Sequence, residues 1–187
     1  MIKPDIFLKG VIDAKISFVT GVPDSLLKDI CGYISDNSDQ ICHKIATNEG
    51  SAIAMGIGNY LATNNVPLIY LQNSGLGNVI NPITSLADPQ VYGIPLVLMI
   101  GWRGELDVKG NQIKDEPQHK KQGQITIPQL DILEIPYLII DNATKNIEVI
   151  LKKIVNSAKN RNGPCALVIR KNTFESYNYK KSNQKLN

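Results

Sequence analysis

One carboxylate stands apart in this chain. In Asn48-Glu49-Gly50-Ser51-Ala52-Ile53-Ala54-Met55-Gly56-Ile57-Gly58, Glu49 is followed by small and apolar residues, and no other acid lies between Asp39 and Asp88. Placed where a strand meets a helix, such a group can present one proton acceptor to a ligand lying across the top of a parallel sheet. Three further polar clusters could join it. Gly21-Val22-Pro23-Asp24-Ser25 follows the run Ile16–Thr20, and Gln72-Asn73-Ser74-Gly75-Leu76-Gly77-Asn78 follows Val66–Leu71. The third is the long polar segment Trp102–Gly123, which contains Asp115-Glu116-Pro117-Gln118-His119. Its length marks a functional loop, a lid that brings titratable groups such as His119 over a substrate.

The elements that must position these groups can be read from the apolar pattern. Helices are expected over Pro4–Lys15, from Asp24 or Ser25 through Ile34, over Glu49–Thr63, Val79–Ala87, Gln124–Glu134 and Asn146–Asn160. Strands are expected at Ile16–Thr20, Ile41–Ala46, Val66–Leu71, Ile94–Ile100, Tyr137–Ile140 and Pro164–Arg170, with the very apolar Ile94–Ile100 at the centre. Continuous apolar strands alternating with helices predict a three-layer α/β fold. Its six-stranded sheet is mostly parallel, with helices on both faces. All four polar clusters then fall at the carboxyl ends of the strands, where such sheets bind ligands.

Composition narrows the function. The 187 residues suit one domain over residues 1–175, followed by a polar, basic tail or linker over 176–187. The net charge of +3 is concentrated at the end, because Arg170–Asn187 holds five basic residues and one acid. The body is close to neutral, and no basic–aromatic interleaving marks a nucleic-acid face. No apolar run approaches a membrane span, and the start of the chain does not read as a signal peptide. Three scattered cysteines without metal spacing read as buried, reduced thiols, so a cytoplasmic location is expected. Gly75-Leu76-Gly77 lacks the third glycine of a dinucleotide fingerprint, since Ile80 stands in its place. Gly56 and Gly58, costly within a helix, imply close packing there. His43 is expected to pack or cap at its strand.

Taken in order, five pieces resemble the pyrimidine-binding domain of thiamine diphosphate enzymes, and most closely that of phosphonopyruvate decarboxylases. They are Thr20–Ser25, Asn48-Glu49-Gly50, Gln72–Asn78, Gly101-Trp102-Arg103-Gly104 and Asp115–His119. The sulfopyruvate decarboxylase alpha chain is similar in its early motifs. The resemblance implies that Glu49 bonds a ring nitrogen of the cofactor's aminopyrimidine and favours the imino tautomer that deprotonates the thiazolium carbon. The thiazolium then accepts the electrons left by carbon dioxide. It also implies that Asp24 and His119 face the substrate and assist protonation, and that Asn73, Ser74, Gly75, Leu76 and Gly77 border the pyrimidine.

In that family the diphosphate and its magnesium are held on a second domain through Gly-Asp-Gly and an asparagine pair. This chain has no Asp-Gly at all. The resemblance therefore implies half of an active site with no metal ligands of its own. A diphosphate-binding partner, in a second chain or downstream, would supply the rest, and a homo-oligomer is expected. The implied reaction is phosphonopyruvate to phosphonoacetaldehyde and carbon dioxide. Alternatives are a sulfopyruvate decarboxylase alpha chain or a non-catalytic regulatory domain, and retention of Glu49 argues for catalysis.

Overall fold

A computed structural model describes residues 1–107 and 109–179. Six parallel strands form one sheet in the order β2-β1-β3-β4-β6-β5. They are β1 (Phe18–Gly21), β2 (Cys42–Ile45), β3 (Leu68–Gln72), β4 (Val97–Gly101), β5 (Tyr137–Ile140) and β6 (Cys165–Ile169). The α/β class, the parallel sheet and the central place of β4 agree with the sequence. The chain steps from β1 outward to β2 and then returns to the other side of β1 as β3. That reversal opens a crevice at the carboxyl ends of β1 and β3, the usual ligand position in open parallel sheets.

Alternation along the central strands divides the core into two layers. Leu68, Tyr70, Val97 and Met99 pack with α1 (Pro4–Asp13), α2 (Lys28–Asp36) and α6 (Ile147–Arg161) on one face. Ile69, Leu71, Leu98 and Ile100 pack on the other with α3 (Glu49–Thr63), α4 (Leu76–Pro82) and α5 (Pro117–Ile132). Burial on both faces explains why these strands read as unbroken apolar runs.

Several boundaries differ from expectation. The fourth helix begins at Leu76 and gives way at Pro82 to a π-helical turn over Ile83–Ala87. Proline has no N–H to bond the preceding turn, so the helix loosens there. The fifth helix starts at Pro117, seven residues earlier than its apolar pattern, because proline is pre-shaped for a helix's first turn. The long loop is therefore 102–116, and His119 stands on the first turn of α5. Cys42 is exposed, since β2 is an edge strand with one open side; Cys165 alone of the three thiols is fully buried. Gly56 packs closely, with Ile69 Cδ1 2.6 Å from where a Cβ would stand, but Gly58 faces open space.

Of the stretch read as a tail, Tyr177 and Tyr179 lie on α2. Tyr177 bonds Asp29 and Asp36, and the Tyr179 hydroxyl donates to the Lys28 carbonyl at 2.6 Å. Residues 180–187 fall outside the described part of the chain.

Candidate active site

Glu49 is the first residue of α3. Asn48 caps the helix, its Oδ1 accepting the Ser51 N–H at 2.8 Å. Asn48 itself is extended, so the helix begins at Glu49, whose side chain meets the turn after β3. Asn78 on α4 donates to Glu49 Oε2 at 2.8 Å. Gly75 presses against the same carboxylate: a Cβ there would lie 2.5 Å from Glu49 Oε1. Any larger residue at 75 would displace the acid. Glu49 is thus held from two sides while still half-exposed at the crevice.

Asp24 follows β1 and is only 5% exposed. Neither carboxylate oxygen has a well-formed hydrogen bond among the described residues. Burial pushes its carboxyl pKa up; the Leu26 amide, the Arg103 guanidinium, the Leu27 amide and His119 oppose that rise. A Cβ on Gly101, the last residue of β4, would collide with Asp24 Oδ2. The absence of a side chain at 101 is what lets this carboxyl sit at the sheet edge. A cavity of about 330 Å³ opens beside it, lined also by Ser25, Lys28, Cys31, His43 and Tyr70. His43 meets the Tyr70 hydroxyl at 2.9 Å and Ser35 Oγ at 3.2 Å, and burial lowers its pKa.

The remaining predicted residues separate into two groups. Ser74 and Gly77 are exposed, and Ser74 Oγ accepts from Gln72 at 2.6 Å. Asn73 and Leu76 are fully buried. Asn73 Oδ1 accepts the Arg103 N–H at 3.1 Å, and its Nδ2 donates to the Arg103 carbonyl and to Thr126 Oγ1. It clamps the loop after β4 instead of offering a polar atom to a ligand. The Leu76 side chain packs in the second core layer, and the residue is not exposed at the crevice.

Three contributors escaped the sequence reading. Asn78, quoted in a motif, is the partner of Glu49. Arg103 and Asp115 form a two-point ion pair, Nε to Oδ2 at 2.9 Å and Nη2 to Oδ1 at 2.7 Å. That pair and the Gly104 and Glu116 amides hold the Asp115 carboxyl well below the usual carboxylate range. Arg103 Nη1 reaches Ser25 Oγ at 2.9 Å, tying the β4 loop to the β1 loop. Arg103 lay within a quoted motif and Asp115 within another, but no spacing rule couples two loop residues before the fold brings them together. A Cβ on Gly104, at φ +63°, would collide with the His119 carbonyl, and one on Gly123 of α5 would collide with the Gly104 backbone. The Trp102 Nε1–H donates to the Gly123 carbonyl at 3.0 Å, and the His119 backbone lies in the same seam between the β4 loop and α5.

Residues 5–130 match the model of the thiamine pyrophosphate enzyme N-terminal TPP binding domain. The chain belongs to this family. It is 40% identical over 130 residues to the sulfopyruvate decarboxylase alpha subunit of Methanococcus maripaludis, a match covering 69% of this chain and 71% of that one. It is 35% identical over 139 residues to the phosphonopyruvate decarboxylase of Streptomyces viridochromogenes, covering 74% of this chain and 32% of the other. The chain thus spans about a third of that decarboxylase's length. The fold is shared with the thiamine diphosphate-dependent 4-hydroxybenzoylformate decarboxylase of Rhodococcus jostii, at a TM-score of 0.62 and 15% identity. That match covers 93% of this chain and 31% of the other. These relatives are decarboxylases.

The residues present suit the pyrimidine end of that cofactor. Glu49 offers a carboxylate fixed by Asn78 and packed against Gly75. Among the described residues no group of three His, Cys, Asp or Glu side chains could hold a metal ion. No helix among them is long and apolar enough to cross a membrane.

Proposed function

We propose that this chain is the pyrimidine-binding half of a thiamine diphosphate-dependent decarboxylase acting on a 2-oxo acid whose third carbon bears a charged oxyanion group, phosphonopyruvate first. The observation that carries the reading is the Glu49 carboxylate held between Asn78 and Gly75 at the mouth of the crevice. A non-catalytic relic would have no need of a carboxylate so constrained. The bound cofactor supplies the electron sink for loss of carbon dioxide. Glu49 holds a proton at the aminopyrimidine ring nitrogen. Asp24, whose pKa burial raises, can keep a proton nearer neutral pH than an exposed carboxyl and deliver it to the carbon that loses carbon dioxide. His119, on the first turn of α5 and acting electrostatically on Asp24, would assist it, and the Arg103–Asp115 pair braces the loop between them.

A second reading is favoured by one observation. The chain covers 71% of a sulfopyruvate decarboxylase alpha subunit, so a two-chain enzyme acting on the sulfonate suits its size. In either case the partner domain carries the diphosphate and magnesium. Ala54, Met55, Gly58 and Leu61 form an open face on α3, against which that domain or a second copy would pack. The reading is tested by mixing the chain with a diphosphate-binding partner, thiamine diphosphate and magnesium. Release of carbon dioxide from phosphonopyruvate or sulfopyruvate is expected. A complete mixture that turns over neither would overturn the proposal.

A further inference from the structure

A second cavity, of about 390 Å³, opens beside the one that holds Asp24. Ser25 and Lys28 line both, so the two adjoin at the β1 loop and the start of α2. The second cavity also has Arg103, Lys171 and Ser176 on its walls, with Asp29 as its one acid. Asp29 already accepts the Tyr177 N–H at 3.0 Å. Arg103 is held rigid through Nε and Nη2 by Asp115, and its Nη1 points to Ser25. Lys28 and Lys171 make no salt bridge among the described residues. In a body that is otherwise close to neutral, three cations thus converge next to a buried carboxyl.

We infer that this cavity receives the tetrahedral oxyanion, phosphonate or sulfonate, on the third carbon of the substrate. Lys28, Lys171 and Arg103 would be its charge partners and Ser25 a hydroxyl donor. The inference rests on the 2-oxo acid decarboxylase reading and deepens it. The spacing is suitable. In such a substrate the keto carbon and the phosphorus or sulfur are separated by two bonds. Ser25 and Lys28 are common to both cavities, so a keto carbon beside Asp24 in the first lets the group on its neighbouring carbon enter the second. Point charges on lysine stems suit either oxyanion, and the pinned arginine fixes its position.

The assembled enzyme carrying Lys28→Gln, Lys171→Gln or both is compared with the unaltered enzyme on phosphonopyruvate, sulfopyruvate and pyruvate. Both lysines are exposed, and glutamine keeps most of each stem, so folding is preserved. Each substitution is expected to raise KM for the two charged substrates about tenfold, with kcat little changed. Kinetics on pyruvate should not move in Lys171→Gln, a residue that does not line the Asp24 cavity. Whichever charged substrate has the higher kcat/KM in the unaltered enzyme identifies the oxyanion. An unchanged KM in the double variant overturns the inference. A second measurement needs no turnover: the isolated chain is titrated with phosphonoacetate, following amide resonances. Shifts at Ser25 and Lys28 that vanish in the double variant support the site, and their absence in the unaltered chain overturns it. If the assembled enzyme decarboxylates none of the three acids, the proposed function fails, while the titration still decides the anion site.

Discussion

Gly75 and Glu49 are in such close contact that a single methyl group at 75 would stand 2.5 Å from the Glu49 carboxylate. The contact joins the turn after β3 to the first residue of α3. It makes the position of the acid a property of two loops at once. Gly75→Ala is therefore expected to move the carboxylate without removing it. A shift of about 1 Å in a reacting group can lower turnover about 100-fold. Steady-state kinetics of the assembled enzyme, with circular dichroism to show an intact fold, check this. Near-normal turnover would mean that Glu49 has more freedom than its packing suggests.

Glu49→Gln keeps the shape of the side chain and removes the carboxylate. Decarboxylation should fall severely, by about 100-fold or more, while cofactor binding weakens but persists. Asn78→Ala should produce a milder version, about tenfold, by releasing Glu49 Oε2. Ordinary turnover in the Gln variant would remove Glu49 from the mechanism.

Asp24 stores a cost. Burial raises its folded-state pKa, so the folded chain favours the protonated form, and the stability this contributes is full at low pH. It is lost as pH rises through the usual carboxylate range and past the raised folded value. Asp24→Asn should accordingly stabilise the isolated chain at neutral pH by about 1 kcal/mol. A rise in Tm of about 2–4 °C follows for a domain of this size. The same variant should lose most activity when assembled. A lower Tm at pH 7 would contradict this account of the carboxyl.

Asp115 has the opposite sign. The Arg103 hydrogen bonds, helped by the Gly104 and Glu116 amides, hold its folded pKa below the ordinary value of about 3.9. Its contribution is present above that value and is lost as pH falls through the folded pKa. Asp115→Asn should cost about 1–3 kcal/mol at pH 7, and the difference from the unaltered chain should shrink below about pH 4. Urea unfolding at several pH values measures it; a gap that widens in acid would refute the assignment.

The isolated chain should bind thiamine diphosphate weakly. One charged hydrogen bond from Glu49 is worth about 1.5–3 kcal/mol, whereas micromolar affinity needs about 8 kcal/mol. Calorimetry with magnesium present should show no micromolar binding until the diphosphate-binding partner is added.

The sequence by itself determined the sheet, the two helical layers and the place of Glu49. Those depend on local pattern: apolar runs such as Ile94–Ile100 cannot stay in water, and Asn48 followed by small residues starts a helix. It also pointed to Asp24 and His119, through motifs at strand ends. The tertiary structure decided which side chains reach the crevice. Asn73 and Leu76 stand in the same motif as Ser74 and Gly77, yet the turn after β3 rotates the first pair into the interior and the second outward. It also decided that Asp115 belongs to Arg103, that Asn78 belongs to Glu49, and that Lys28 and Lys171, far apart in the chain, share one cavity. These are contacts between residues distant in sequence. Their geometry follows from how strands and helices pack, which no spacing along the chain encodes.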